Sequence, residues 1–392
     1  MGILRIYLAI SVVLHHCQFR DFPTPTHMDG GVSVLLFFII SGFYITLILN
    51  EKYNKLSNPI QSFYMGRAIR IFPLYLTILL FAIIFFRSIN QPSVFTDQLG
   101  LSNISRLGLV LSNIFIVGQD VFNIIVEDIR NGSPLSKPLM HILESQGAAQ
   151  VASNPVYVLI GQAWSLSIEL LFYLFAPFIV CSQKRVLILI IASALVRTAL
   201  YFYGFSSVPY AIRFFPSVLV FFLLGSISYF IYRELNDRKI QLQQIGAGIL
   251  AISVIFAVAA AHRNIGILNG ADFDTPTHWA LYIAITVSLP FLFSFTRESK
   301  IDNFIGEFSY PIYLVHGLVL GYMVQPIKNL TISGPMLVVG FSMFFSWLLI
   351  YTVVKPCNKI KTKQLQKKYI VNAPARSQET HRIPIEFPQP LS

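Results

Sequence analysis

Ten stretches of this chain are long and apolar enough to cross a bilayer, and no other feature of the sequence limits the fold so tightly. They fall at 2–19, 31–50, 70–89, 163–182, 186–204, 212–232, 244–261, 279–296, 309–326 and 335–354. A membrane helix needs ~20 mostly apolar residues, because hydrocarbon offers no partner for an unpaired N–H or C=O. The chain is 55% hydrophobic and 12% charged, where a soluble domain carries roughly 25% charge. An ordinary soluble enzyme and a disordered tail protein are both excluded. The expected fold is all-α, a polytopic transmembrane helix bundle of about ten spans. The first stretch has the length of a signal peptide. Its only basic residue is Arg5, it has no small-residue cleavage site and it holds two histidines, so it reads as a retained helix. A weaker apolar run, 107–118, is too short to span and reads as re-entrant or interfacial.

An even number of spans puts both termini on one side, and the basic residues choose the side. With the termini cytoplasmic, 20 of the 29 Lys and Arg fall on inner segments and eight on outer ones, with Arg197 inside a span. The net charge of +11 is therefore mainly a topology signal, and no nucleic-acid partner is expected. Residues 1–355 read as one membrane domain with a long outer loop, 90–162, that shows turn clusters such as Asn131-Gly132-Ser133-Pro134. Residues 356–392 read as a polar, basic cytoplasmic tail suited to anionic membrane lipids. Cys17, Cys181 and Cys357 form neither a disulfide framework nor a metal-ligand spacing, so no metal is expected.

A charge at mid-membrane costs about 2.5–3.5 kcal/mol on insertion scales, which singles out the few ionisable residues within spans. Arg5 and His16 are eleven residues apart, three helical turns plus ~20°, so they share one face at a separation of ~16 Å. Glu169, the one acid inside a span, sits in a stripe with Ser165 and Tyr173 at spacings of four. That stripe is expected at a depth similar to His16. Ser309, Tyr313 and His316 share a face of a later span. Each pattern also has a plainer explanation, an interhelical packing hydrogen bond. Arg67 and Arg70 are three apart at the expected start of the third span. Paired guanidinium groups suit phosphate, although by charge alone a positive-inside anchor is the better explanation of the pair.

Taken together, these segments resemble the acyltransferase-3 family of integral membrane O-acyltransferases. Its Arg, ten residues, His signature is matched by Arg5 and His16. A second-span pattern resembles 31–43, and a paired-arginine pattern resembles Arg67, Arg70, Pro73 and Tyr75. Its Trp-Ser-Leu-x-x-Glu-x-x-Phe-Tyr pattern is matched by Trp164 to Tyr173, and Arg213-Phe214 with Gly225 resembles a further one. Its Ser-Tyr-x-x-Tyr-Leu-x-His pattern is matched by Ser309 to His316. The matches keep their order over 1–355. The loop 90–162 is long for the family. Some members carry a fused extracytoplasmic hydrolase-like domain, for which 392 residues leave no room.

The resemblance implies an enzyme that moves an acyl group, acetyl by expectation, from cytoplasmic acyl-CoA (acetyl-CoA) to a hydroxyl of an extracytoplasmic polysaccharide or lipid-linked glycan. It also implies a bacterial cytoplasmic membrane. Arg5, Arg67 and Arg70 would take the CoA phosphates. His16 would be the general base or a transient acyl carrier, with Glu169 orienting it or stabilising its charge. Ser165, Tyr173, Tyr313, His316 and Arg213 would shape the pocket. A glycolipid transporter or flippase would also account for the spans and buried charges, without any dependence on CoA.

Overall fold

The computed structural model describes residues 1–18, 28–88, 103–130, 158–205, 208–238, 273–327 and 333–370, with isolated positions between them, among them 246 and 253. The tail beyond 370, the middle of the 90–162 loop and most of the expected span 244–261 lie outside the described residues. Among the described residues the regular structure is entirely helical. Seven helices are long and apolar enough to cross a membrane, within 30–55, 59–88, 161–179, 183–202, 215–237, 276–296 and 334–366. The helix at 2–17 is apolar but shorter, and the helix Ser309–Ile327 is not one of the seven.

Helix α1 spans Gly2–Gln18, α2 Gly30–Glu51 and α3 Pro59–Ser88. Helices α4 (Asn103–Phe115) and α5 (Gln119–Arg130) follow, then α6 (Trp164–Ile179), α7 (Gln183–Phe202) and α8 (Phe215–Asp237). Helices α9 (Pro276–Thr296), α10 (Lys300–Glu307), α11 (Ser309–Ile327) and α12 (Ser333–Leu349) come next. A π-helical turn, Ile350–Val354, leads into α13 (Lys355–Ile370).

Side-chain contacts fix the direction of each helix. Arg5 meets Ser309 and His16 meets His316, so α1 and α11 run parallel. Tyr310 donates to the Ile71 carbonyl at 3.1 Å, and Gly321 lies beside Phe85, which gives α3 the same direction. The opposite direction is shared by α2, α6, α8 and α9. Ser41 pairs with Glu169 and Asn50 with the Val180 carbonyl. Phe38 stacks on Phe222, and Thr46 bonds Ser226. Phe221 stacks on Trp279, and Tyr232 packs on Phe293. Parallel α8 and α9 require the chain between Asp237 and Pro276 to return from one end of the bundle to the other. Its described positions agree: Gly246 lies against Phe291, and Ser253 bonds Ser288 at 3.0 Å, antiparallel to α9.

The bundle is organised around α2, 16 of whose 22 residues are buried. Its closest neighbour is α8. A Cβ on Gly42 would sit 1.9 Å from the Phe222 carbonyl oxygen, and one on Gly225 would sit 1.9 Å from that of Ile39. Apolar solvent gives membrane helices no hydrophobic reason to associate, so close backbone approach at small residues supplies the packing. Helix α7 instead turns Ile188, Ile191 and Leu195 outward, as a lipid-facing helix does.

Three sequence expectations change. First, α3 begins at Pro59, eleven residues before the expected span. Pro suits a first helical turn, where its missing N–H is no loss. Arg67 and Arg70 therefore lie well inside a helix and not at its start, and no helix N-terminus assists them. Second, the loop expected on the outer side is partly helical. Asn113 accepts from Leu159 N at 3.0 Å, Tyr75 donates to the Asn113 carbonyl, and Ser167 donates to Asp120 at 2.6 Å. These bonds dock the α4–α5 segment on α3 and α6. Third, the expected tail begins as helix: residues 356–370 belong to α13, which continues from α12.

The start of α1 is capped from a distance. Its first N–H groups have no partner within the helix, and the Asp302 carboxylate accepts from Gly2 N at 2.6 Å and Ile3 N at 3.0 Å. Burial alone would push that carboxyl up; the hydrogen bonds from Gly2 and Ile3 help to hold it below its usual range instead.

Candidate active site

A cavity of about 110 Å³ lies between α1, α2, α3, α6 and α11. That is room for several waters or an acetyl-sized group. Its wall contains the guanidinium groups of Arg5, Arg67 and Arg70 and a single carboxylate, Glu169. Ser41, Tyr44, Ser165, Tyr173, Ser309, Tyr310 and Tyr313 add hydroxyls, and Phe37, Phe38 and Ile71 add apolar surface. Three cations against one anion leave the cavity with an excess of positive charge, which favours an anionic occupant.

Arg5 and Arg67 are held by their surroundings. Arg5 is buried and donates to the Ser309 hydroxyl at 3.1 Å and to the Gly306 carbonyl. Gly306 closes over α1, with its own missing Cβ 2.9 Å from Gly2 Cα. Arg67 is buried, lies 5.8 Å from the Tyr173 ring and 5.9 Å from the Phe63 ring, and meets the hydroxyls of Tyr53 and Tyr173. Its Nε has no hydrogen-bond partner among the described residues. A buried donor left unmade is costly, so this edge of Arg67 is available to a ligand oxygen.

The stripe on α6 joins this charged end to the histidines. Ser165 and the Tyr313 hydroxyl are 2.7 Å apart. One turn further on, Glu169 accepts from Ser41 at 2.7 Å and from Tyr173. Tyr173, a turn beyond, reaches Arg67. Eight residues of helix span about 12 Å, so the stripe is a ladder between two levels. Glu169 therefore lies beside the arginines, lower than its expected level with His16.

The other end is a histidine pair. The rings of His16 and His316 have centroids 5.0 Å apart, and Tyr313 is 6.0 Å from His316. His16 Nδ1 is 2.8 Å from the Val12 carbonyl. A carbonyl only accepts, so Nδ1 carries the proton and a neutral ring presents the lone pair of Nε2. His316 makes the same contact with Ile312 at 3.3 Å, and its buried Nε2 has no hydrogen-bond partner among the described residues. Arg213 stacks on Trp164 at 5.2 Å, flanking this end. Among the described residues no group of three or more His, Cys, Asp or Glu gathers as a metal site.

A family model described as an acyltransferase domain, that of acyltransferase-3, matches residues 1–353. The chain belongs to that family. With its seven candidate spans, it is an integral membrane protein. The O-acetyltransferase OatA of Staphylococcus aureus, in strains COL and MW2 for example, is 25% identical over 333 residues, which is 80% of this chain and 49% of that protein. The chain spans about half the length of the curated relatives it matches. No solved structure matches it.

In this acyltransferase-3 chain the cavity brings together Arg5, Arg67, Arg70, Ser165, Glu169, Tyr173 and Tyr313, while His16, His316 and Arg213 are not part of its wall. Sequence reasoning missed the partnership of His16 with His316 and the role of Ser41 as partner to Glu169. It also missed Tyr44 and Tyr310. A signal was present for α2: Phe37, Ser41 and Tyr44 recur at spacings of four and three, one helical face.

Proposed function

We propose that this protein is a membrane O-acyltransferase, with acetyl as the transferred group. It takes the acyl group from acyl-CoA on the cytoplasmic side and gives it to a hydroxyl of an extracytoplasmic polysaccharide or lipid-linked glycan. The observation that carries this reading is the ladder Ser165–Glu169–Tyr173, which links three guanidinium groups at one level to the His16–His316 pair at another. Arg5, Arg67 and Arg70 bind donor phosphates, as planar bidentate groups do well. The thioester end of the donor extends along the ladder. His16 Nε2 takes the proton of the acceptor hydroxyl as that oxygen attacks the acyl carbon; the C–S bond then breaks, and the proton passes from His16 to the departing CoA thiolate. Enclosure of the path among the helices keeps bulk water away and so limits hydrolysis of the thioester.

The membrane reading belongs to the same proposal. Ten spans and cytoplasmic termini agree with the basic residues, and the Staphylococcus aureus relative supports a bacterial cytoplasmic membrane. They agree also with the alternation of helix directions, including the return between α8 and α9. Arg67, Arg70, Lys52 and the first turn of α13 then lie on the donor's side.

Membranes holding the protein, given acetyl-CoA labelled in the acetyl group, should transfer label to surface glycan, and His16→Ala membranes with equal protein should not. Movement of glycolipid with no transfer of label would replace this reading with a transporter.

A further inference from the structure

The family match ends at residue 353, but the structure continues as α13, which packs on α3. Among its described side chains two are buried, Lys361 and Leu365. Leu365 needs no explanation. A lysine is almost never buried unless it is paired, because its compact ammonium is strongly hydrated. Lys361 is 9% exposed, and among the described residues the charged groups that act on it are Arg67, Arg70 and Lys52, all of them cations.

Local packing shows how it gets there. A Cβ on Gly66 would sit 2.2 Å from the Tyr53 hydroxyl and 3.6 Å from Lys361 Cε. Glycine at 66 thus lets Tyr53 and the lysine stem close on α3 one residue before Arg67. Arg67 is itself buried, with Nε unpartnered. Four cations from three separate segments are gathered at one end of the bundle. Like charges at short range repel, so this arrangement is built for an anion of several charges.

We propose that Lys361 and Lys52 complete, with Arg67 and Arg70, a polyphosphate site that grips the phosphate groups of the acyl donor. The two arginines supply forked donors and the two lysines supply point charges. Lys361 stands beside the cavity and not in its wall, so phosphate is held at the α3–α13 side while the acyl end occupies the cavity. Helix α13 thereby becomes part of the donor site, although it lies beyond the family-matched domain. This inference rests on the donor reading above. A phosphate headgroup of an anionic lipid has the same chemistry, and the experiment separates the two sources.

The full chain is placed in nanodiscs of phosphatidylcholine, with or without phosphatidylglycerol. Binding of CoA, and of pantetheine, which has no phosphate, is measured by calorimetry. Lys361→Gln is expected to raise the Kd for CoA about tenfold in both lipids, with pantetheine unchanged and Lys361→Arg recovering most of the loss. Without CoA, Lys361→Gln should melt no lower than wild type, because it removes a repelled charge. A wild-type protein that ignores CoA overturns the donor reading. Wild-type binding of CoA that Lys361→Gln leaves intact overturns the role of Lys361. A defect confined to discs with phosphatidylglycerol assigns the cluster to lipid, and a lower melting temperature without CoA makes Lys361 a packing residue.

Discussion

The imidazole rings of His16 and His316 lie with centroids 5.0 Å apart and planes tilted by 52°, although 300 residues separate them in sequence. Each directs Nδ1 at the carbonyl four residues earlier in its own helix, so each neutral ring keeps its lone pair on Nε2. One ring is thus placed to take a proton and the other to share the charge that results. His16→Ala is expected to abolish transfer. His316→Asn should lower kcat about 100-fold, at the lower end of general-base effects, with the donor KM little changed. A raised KM at unchanged kcat would make His316 a binding residue instead.

Glu169 is the one carboxylate among three cavity arginines, and it is held by Ser41 and Tyr173. Glu169→Gln keeps an acceptor for both hydroxyls but removes the charge. Its effect is expected on chemistry more than on folding: protein levels near wild type, a turnover about tenfold to 100-fold lower, and donor affinity equal or higher. Glu169→Ala leaves the hydroxyls unpaired and should also lower the amount of folded protein. Quantifying both variants in membranes alongside donor KM tests this, and a Glu169→Gln protein with weakened donor binding would contradict it.

The crossing of α2 and α8 leaves no space for a side chain at Gly42 or Gly225. The listener at each contact is backbone, which cannot swing away. Gly42→Ala or Gly225→Ala should cost about 2–3 kcal/mol, at the upper end of ordinary overpacking, seen as low yield and a depressed Tm in detergent. Gly108→Ala, where a Cβ meets nothing within 4 Å, is the matched control. Equal melting of all three would mean that the crossing relaxes freely.

The helices and the polar stripes were legible in the sequence because both follow from periodicity. Four-residue spacing placed Ser165, Glu169 and Tyr173 on one face, and they share it. Depth was harder to read. Glu169 was expected level with His16, but its long side chain and the ladder geometry put it among the arginines. The start of α3 was missed because Gln61, Ser62 and Arg67 dilute the hydropathy of a segment that is nonetheless helical. Partners such as Ser41 with Glu169, 128 residues apart, depend on which helices become neighbours, and no local pattern encodes that. Lys361 belonged to a segment that reads as a solvated tail, since nothing in its immediate neighbours signals burial.

Glu307, at the end of α10, lies outside the membrane spans and has a buried Oε2 with no hydrogen-bond partner among the described residues. Burial pushes its carboxyl above the usual range, and Lys355 and Arg5 pull it only part of the way back. The folded state therefore holds the proton more tightly than the unfolded chain. Between the ordinary carboxyl value and the raised one, the folded state binds more protons, so stability falls as pH rises through that window. Above the window the cost is fully present, and below the ordinary value it vanishes. Glu307→Gln should accordingly melt higher than wild type at about pH 7, with the difference closing as pH approaches roughly 4. Melting curves of both proteins in one detergent across that range provide the check. A difference that does not shrink toward low pH would show that the charge of Glu307 is not its source.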